Sequence, residues 1–218
     1  VAFWSWASNL VPGDTNVEND VFIHDRQTGI TSLISVDSTG AQGVSSSYYP
    51  SISADGHFVA FWSGANLVLE DTNHEYDIFL RDWKAGSTSR VSVSSGGAQG
   101  NDSAYEFPAI SPDGRYVAFD SGAGHLTPDD TNQTYDVFLR DVATGQTWRA
   151  SVAGDGQQGN AGSSTPGISP DGRVVGFVSG ASNLVADDTN DEEDIFAGYS
   201  LSVAAQWFLP VVWAGESQ

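Results

Sequence analysis

A repeat of 58 residues constrains this chain more than any other feature. The apolar run VAFWS at residues 1–5 returns with small changes at residues 59–63, 117–121 and 175–179, so each step is 58 residues. A second marker, the tripeptide Asp-Thr-Asn, begins at residues 14, 71, 130 and 188. Self-similarity at a fixed period is the sequence signature of repeat architectures. The 218 residues are therefore interpreted as four copies of one structural unit.

Each unit is all-β, because short β-branched and aromatic runs alternate with turn residues and no run has helical spacing. In the second copy the pattern predicts strands at 50–53, 58–62, 77–81 and 88–93, with tight turns at Asp55-Gly56 and Ala85-Gly86. Four antiparallel strands per repeat form one blade of a β-propeller. We therefore expect an all-β, four-bladed β-propeller over residues 1–206, with repeats starting near residues 1, 59, 117 and 175 and one blade split between the two termini.

One hexapeptide connects the repeat to a known family. Ile-Ser-Pro-Asp-Gly-Arg stands at residues 110–115 and 168–173, with a variant at 52–57. This run resembles the hallmark of the TolB-like propeller repeats, which are related to the WD type. The resemblance implies a propeller fold. It leaves function open, because propellers of this kind serve as binding platforms, as accessory domains of peptidases and as scaffolds.

The two ends of the chain are in cyclic register. The first copy lacks a counterpart of the strand at 50–53, and residues 208–214 line up with residues 48–54. Residues 207–218, within the same domain, are therefore predicted to be a closing or donor strand, preceded by a shortened fourth strand at 199–205. The residues expected to take part are Trp207, Phe208, Leu209, Pro210, Val211, Val212 and Trp213 in the tail and Val1, Ala2 and Phe3 in the strand that accepts it.

Two outcomes follow from this register. The tail either completes the first blade of its own molecule or is donated to the first blade of the next molecule. Donation is a head-to-tail contact, and such contacts propagate into filaments unless the rotation closes them.

An acidic loop with four recurring oxygen-bearing positions lies between the second and third strands of each copy. These positions are Asp14, Asn16, Glu18 and Asp20; Asp71, Asn73, Glu75 and Asp77; Asp130, Asn132, Thr134 and Asp136; and Asp188, Asn190, Glu192 and Asp194. Alternate oxygen ligands of this kind suit a hard cation, so calcium is the predicted cofactor. The alternative is that the Asp and Asn side chains only form Asx turns.

Composition restricts the partners. The chain carries 8 basic and 28 acidic residues, a formal charge of −20, which disfavours nucleic acid and anionic membrane surfaces as partners. The longest strongly apolar run, residues 207–213, is far shorter than the ~20 residues that span a bilayer. There is no cysteine or methionine, even at position 1. We expect a processed N-terminus and an extracellular or cell-surface location.

No sequence motif predicts catalysis. The histidines fall at different phases of the repeat, and the paired acids recur in every copy, whereas an active site is normally singular. The tryptophans Trp4, Trp6, Trp62, Trp83 and Trp148 are interpreted as core or packing residues rather than sugar-binding ones. The expected function is a non-enzymatic, calcium-stabilised structural subunit that self-assembles by strand donation. The alternative is a closed monomeric propeller that binds a glycan or a surface protein.

Overall fold

The computed structural model describes residues 1–105, 107–186, 188–190, 192–202 and 205–212, with side chains as far as Gly198. These residues form fifteen strands and no helix, so they include no helix able to cross a membrane. The strands are β1 (Ala2–Ser5), β2 (Asp20–His24), β3 (Thr31–Leu33), β4 (Ser47–Ile52), β5 (Phe58–Ser63), β6 (Asp77–Asp82), β7 (Ser87–Arg90), β8 (Ala109–Ile110), β9 (Tyr116–Ser121), β10 (Asp136–Asp141), β11 (Gln146–Arg149), β12 (Ser163–Ile168), β13 (Val174–Ser179), β14 (Asp194–Ser202) and β15 (Ala205–Val212). The predicted all-β class is confirmed.

The strands form four antiparallel sheets that follow the repeat. We call them blade 1 (β1–β3), blade 2 (β4–β7), blade 3 (β8–β11) and blade 4 (β12–β15). In each blade, strands that are consecutive in the sequence are neighbours in the sheet. In blade 2 all four predicted strands are present, with bounds that differ by a few residues.

The turns between the first two strands of blades 2, 3 and 4 depend on glycine. Gly56, Gly114 and Gly172 have φ values of 72°, 74° and 70°. This left-handed region is costly for residues with a Cβ atom. The turn predicted at Asp55-Gly56 is therefore confirmed, and the equivalent Asp-Gly pairs at residues 113–114 and 171–172 form the same turn.

One phenylalanine pair recurs at the centre of every blade. Phe61 of β5 lies directly opposite Phe79 of β6, with ring centroids 6.0 Å apart and both side chains fully buried. The equivalent pairs are Phe3 and Phe22, Phe119 and Phe138, and Phe177 and Phe196, at 5.6, 5.8 and 5.8 Å. The repeated aromatic residues of the VAF-type run are thus packing residues of the blades.

The hydrophobic core lies between adjacent blades. Three clusters of buried side chains join blade 1 to 2, blade 2 to 3 and blade 3 to 4. Polar contacts reinforce the same interfaces: the Thr147 hydroxyl of blade 3 donates to the Val93 carbonyl at 2.6 Å, and Thr88 of blade 2 does the same to Val36. Each blade is therefore stabilised by its neighbour rather than by its own two faces alone.

The tail forms a different strand from the predicted one. Residues 205–212 are β15 and pair with β14 as the fourth strand of blade 4, with Phe196 opposite Val212 and Ser202 opposite Ala205. β14 itself runs to Ser202, so the predicted fourth strand at 199–205 is wrong. Only two residues separate β14 from β15, and strands joined by so short a connection pair with each other at small entropic cost.

Closure of blade 1 by its own tail, one of the two outcomes left open by the sequence, is consequently not the arrangement found for residues 205–212. Among the described residues β1 pairs only with β2, and Ala2 and Phe3 lie opposite Ile23 and Phe22. Residues 213–218 of the predicted donor segment, including Trp213, lie outside the described residues. Donation of a tail to a second molecule stays a prediction.

Candidate functional site

The acidic loops share one internal geometry. In the second loop the Asn73 amide donates to the Gly100 carbonyl at 3.1 Å, and the Asn73 Oδ1 accepts from the Glu75 amide at 3.2 Å. The last carboxylate, Asp77, accepts from the Ser92 hydroxyl at 2.5 Å. In the first loop Asn16 and Ser35 make the equivalent contacts. In the third loop Asn132 and Ser151 make them. The Asx turns of the alternative interpretation are therefore present.

Blades 2 and 3 contain a protein cation between the first and last carboxylates of the loop. The Arg90 Nη1 lies 3.2 Å from an oxygen of Asp71 and 3.2 Å from an oxygen of Asp77. All three side chains are at most 5% exposed. In blade 3 the Arg149 Nη1 lies 3.5 Å from Asp130 and 3.7 Å from Asp136. A buried carboxylate pair is tolerated when it is matched by a positive charge in this way.

Blade 1 has no such arginine. The equivalent position, opposite Phe22 in the β2 and β3 register, is Leu33, whereas Arg90 and Arg149 lie opposite Phe79 and Phe138. The Gln42 Nε2 instead donates to Asp14 Oδ1 at 3.0 Å and to Asp20 Oδ2 at 2.7 Å. Blade 1 therefore offers its two acids a neutral amide in place of a guanidinium.

Burial dominates the titration of the last carboxylate in each of these three loops. Desolvation raises the pKa of Asp20 and of Asp77 above the ordinary range, although hydroxyl and other hydrogen bonds act in the opposite direction. For Asp136 burial raises the pKa to about 6, against the opposing effects of Ser151 and Arg149. Because burial favours the neutral form of these three carboxyl groups, a neighbouring cation stabilises their charged form.

In the fourth loop the Asn190 amide donates to Asp194 at 3.1 Å and the Glu192 amide donates to Asn190. No group of three or more Asp, Glu and His side chains arranged to hold a metal occurs in the part of the chain that is described. Calcium binding at the sixteen predicted positions stays a prediction, and the structure adds that arginine already serves two of the four loops.

A second candidate site is a surface cluster of six aromatic rings drawn from blades 1, 2 and 3. Adjacent ring centroids lie 4.1 to 6.1 Å apart, so neighbouring rings are in direct contact. We call this the aromatic cluster; its members are Trp4, Tyr48, Tyr49, Trp62, Tyr76 and Phe107. An open groove of about 470 Å³ borders it, lined by Trp4, Tyr49 and Phe107 together with Phe3, Ser51 and two prolines.

Backbone strain places two of these rings. Tyr49 and Phe107 have φ values of 49° and 64°, in the left-handed region, and each precedes a proline. In β4 the ladder register shifts between Tyr48 and Ser51, so the strand bulges there and Tyr49 lies within the bulge. Their rings meet with centroids 4.4 Å apart. Thr165 of blade 4 has the same conformation at the same repeat position, so this backbone conformation is a feature of the repeat. Blades 2 and 3 differ from blade 4 because they have an aromatic residue at this position.

Unlike the buried phenylalanine pairs, the aromatic cluster is not imposed by the repeat. Where blades 1 and 2 have Trp4 and Trp62, blades 3 and 4 have Asp120 and Val178. Trp4 is 44% exposed and Phe107 48% exposed. Trp4 packs against Tyr48 and Tyr49 of blade 2, which agrees with the interpretation of the tryptophans as core or packing residues. Trp6 is 80% exposed, so that interpretation is wrong for Trp6.

A further cavity of about 530 Å³ lies at the interface of blades 2 and 3. Ser94, His125 and Trp148 line it. Trp148 is the one Phe, Tyr or Trp side chain among its described lining residues, so it offers less stacking area than the aromatic cluster.

Sequence reasoning found the acidic positions but missed the aromatic cluster and the arginines. The signal that identifies both is divergence at equivalent repeat positions. Leu33 against Arg90 and Arg149, and Trp4 against Asp120, are differences that a purely structural repeat does not require.

Comparison with known proteins supports the fold alone. No protein-family model matches the sequence, and no curated protein matches it. TolB from Agrobacterium tumefaciens is 19% identical, with a TM-score of 0.50 over 84% of this chain and 53% of that one. TolB from Acinetobacter baumannii is 15% identical, with a TM-score of 0.50 over 95% of this chain and 40% of that one.

A prolyl endopeptidase structure is 15% identical, with a TM-score of 0.52 over 91% of this chain and 27% of that one. This chain thus spans about half or less of the length of each of these three solved structures. At this identity the likeness establishes a TolB-like β-propeller fold, which the Ile-Ser-Pro-Asp-Gly-Arg motif indicated, and carries no function with it.

Proposed function

We propose that this chain is a non-enzymatic, extracellular β-propeller module that binds neutral glycan chains on its aromatic cluster. The observation that carries the proposal is that Trp4, Tyr49 and Phe107, from three different blades, line one open groove at positions where the repeat does not require an aromatic ring. Thr165 has the same backbone conformation without a ring, so the rings, and not the strain, distinguish this surface.

The chemistry of the surface supports a sugar as the ligand. Pyranose rings present flat faces of C–H groups that stack on aromatic faces, and partly exposed aromatic side chains that are clustered rather than scattered mark a binding surface. Polar groups lie beside the rings: the Asn19 amide donates to the Tyr48 hydroxyl at 3.3 Å, and Ser51 lines the groove. The groove volume falls within the range of about 300–1,000 Å³ typical of small-ligand sites.

Electrostatics supports a neutral glycan over a charged one. The formal charge of −20 repels polyanions such as uronate-rich polysaccharides and nucleic acids. A neutral glycan lacks this penalty, and glycans are ligands that suit the predicted location outside the cell.

Affinity electrophoresis in gels containing neutral soluble polysaccharides tests the proposal, with polygalacturonate as the charged comparison. We expect at least one neutral polysaccharide to retard the wild type and polygalacturonate not to. The substitutions Trp4→Ala and Phe107→Ala should each weaken binding roughly tenfold, since truncating a stacking ring at a binding site typically costs about 1–2 kcal/mol.

Trp6→Ala is the matched control, because Trp6 is an exposed tryptophan two residues from Trp4 that has no ring contact within the aromatic cluster. It should bind like the wild type. If no neutral polysaccharide retards the wild type, or if Trp6→Ala weakens binding as much as Trp4→Ala in variants with unchanged thermal unfolding, the proposal fails. Retardation by a protein ligand alone would indicate a protein-binding module instead.

A further inference from the structure

One repeat position decides whether the acidic loop of a blade is matched by a positively charged side chain. This position lies on β3 in blade 1, on β7 in blade 2 and on β11 in blade 3. Leu33, Arg90 and Arg149 occupy the same register, each opposite the phenylalanine of the neighbouring strand. In blades 2 and 3 the guanidinium nitrogen at this position lies within 3.2 to 3.7 Å of both carboxylates of the loop. An arginine at this position therefore places a positive charge between the first and last carboxylates of the loop.

Blade 1 keeps the acids and lacks the charge. Asp14 is 8% exposed and Asp20 is fully buried. The two carboxylates face each other across one neutral nitrogen, Nε2 of Gln42, which donates to both. The second oxygen of Asp14, Oδ2, is buried and has no hydrogen-bond partner in the described part of the chain. An unmatched buried carboxylate oxygen is costly and indicates a missing ligand.

We propose that blade 1 binds a divalent cation, calcium, between Asp14 and Asp20, at the position that the guanidinium occupies in blades 2 and 3. Calcium suits the site because it takes oxygen ligands in flexible geometry and completes six to eight ligands with water. Asp14 Oδ2 supplies a ligand that no protein group uses. This site lies in the acidic loop, and the proposal does not depend on glycan binding at the aromatic cluster.

The Gln42 amide supports the assignment. In blades 2 and 3 the equivalent Nε2 atoms, of Gln99 and Gln158, donate to a threonine hydroxyl of the loop. In blade 1 the Gln42 Oε1 accepts from Thr15, and its Nε2 is turned toward the carboxylates. The Nε2 that donates to the loop threonine in the two arginine-containing blades is thus redirected to the acids where arginine is absent, while the Oε1 accepts from the threonine amide in all three blades.

The test is calcium titration calorimetry on protein freed of metal by chelation. Leu33→Arg supplies the guanidinium that blades 2 and 3 contain, so it should bind one calcium ion fewer per chain than the wild type. Leu33→Met, a neutral substitution of similar volume, should leave the stoichiometry unchanged. Asp14→Asn should weaken the site by at least about tenfold, because the charge count of the ligands sets calcium affinity.

The reverse substitution gives an independent readout. Arg90→Leu recreates the composition of blade 1 in blade 2 and should add one calcium ion per chain or, if it unfolds without metal, should refold on addition of calcium. The proposal is overturned if the wild type takes up no calcium, or if Leu33→Arg takes up as many ions as the wild type. Counting the difference between variants keeps the result independent of any ion bound by the fourth loop.

Discussion

At the scale of single residues, the acidic loops show how one motif is completed differently in each copy. Asp77 and Asp136 face arginine, whereas Asp20 faces glutamine. The acids are readable from the sequence because they recur four times. Their partners are not, because Arg90 follows Asp77 by 13 residues and reaches it only through the pairing of β6 with β7.

The titration of Asp136 provides a prediction at this scale. Burial raises its pKa from 3.8 to about 6, so the folded state holds a proton between pH 4 and pH 6 that the unfolded state has released. The contribution of this group to stability is therefore complete below about pH 4 and is lost as the pH rises through about 6. The lost free energy of unfolding is at most about 3 kcal/mol, at about 1.4 kcal/mol per unit of pKa.

Urea denaturation at pH 4, 5, 6 and 7 checks this dependence, with Asp136→Asn compared with the wild type. Asp136→Asn carries no titrating carboxyl, so its free energy of unfolding should fall less between pH 4 and pH 6. Parallel pH profiles for the two proteins would show that Asp136 has an ordinary pKa in the folded state.

At the scale of elements, local signals predict most of the strands and turns and fail at the tail. The Asp-Gly turns and the VAF-type strands combine strong local preference with a repeated pattern, so each copy supports the assignment of the others. The tail has only one copy. Its likeness to residues 48–54 suggested a first strand, whereas its closeness in sequence to β14 makes it the fourth strand of blade 4.

The glycine turns also connect neighbouring blades, which gives a prediction for this scale. A Cβ atom on Gly114 would lie 2.3 Å from the Phe58 ring of blade 2, whereas one on Gly56 would have only Ile52 within 4 Å, at 3.9 Å. Both glycines have nearly the same positive φ. Gly56→Ala should therefore cost about 1–2 kcal/mol, for the backbone alone.

Gly114→Ala should cost about 1–3 kcal/mol more than Gly56→Ala, because the Phe58 ring must move within a packed interface. The difference in the free energy of unfolding, measured with urea, isolates the inter-blade contact from the backbone term. Equal destabilisation by the two substitutions would mean that Gly114 does not pack against blade 2 as described.

At the scale of the whole molecule, repeated residues build the propeller and diverging residues distinguish its surface. The phenylalanine pairs recur in all four blades and the glycine turns in blades 2, 3 and 4, because they form the centres and the hairpins of the sheets. The aromatic cluster gathers residues from blades 1, 2 and 3 that have no equivalent in blade 4. Sequence reasoning predicts the fold for the first reason. It misses the cluster because Tyr49 and Phe107, 58 residues apart, meet only when neighbouring blades pack side by side.

The indole N–H resonances of the seven tryptophans provide the most direct test of the central claim, that the aromatic cluster is the ligand-binding surface. In ¹H–¹⁵N spectra recorded with increasing neutral oligosaccharide, Trp4 and Trp62 should shift together with one dissociation constant, while Trp83 and Trp148, which lie outside the cluster, stay in place. A shift confined to Trp148 would place the ligand in the cavity between blades 2 and 3. That result, or a spectrum unchanged by every neutral oligosaccharide, would contradict the account.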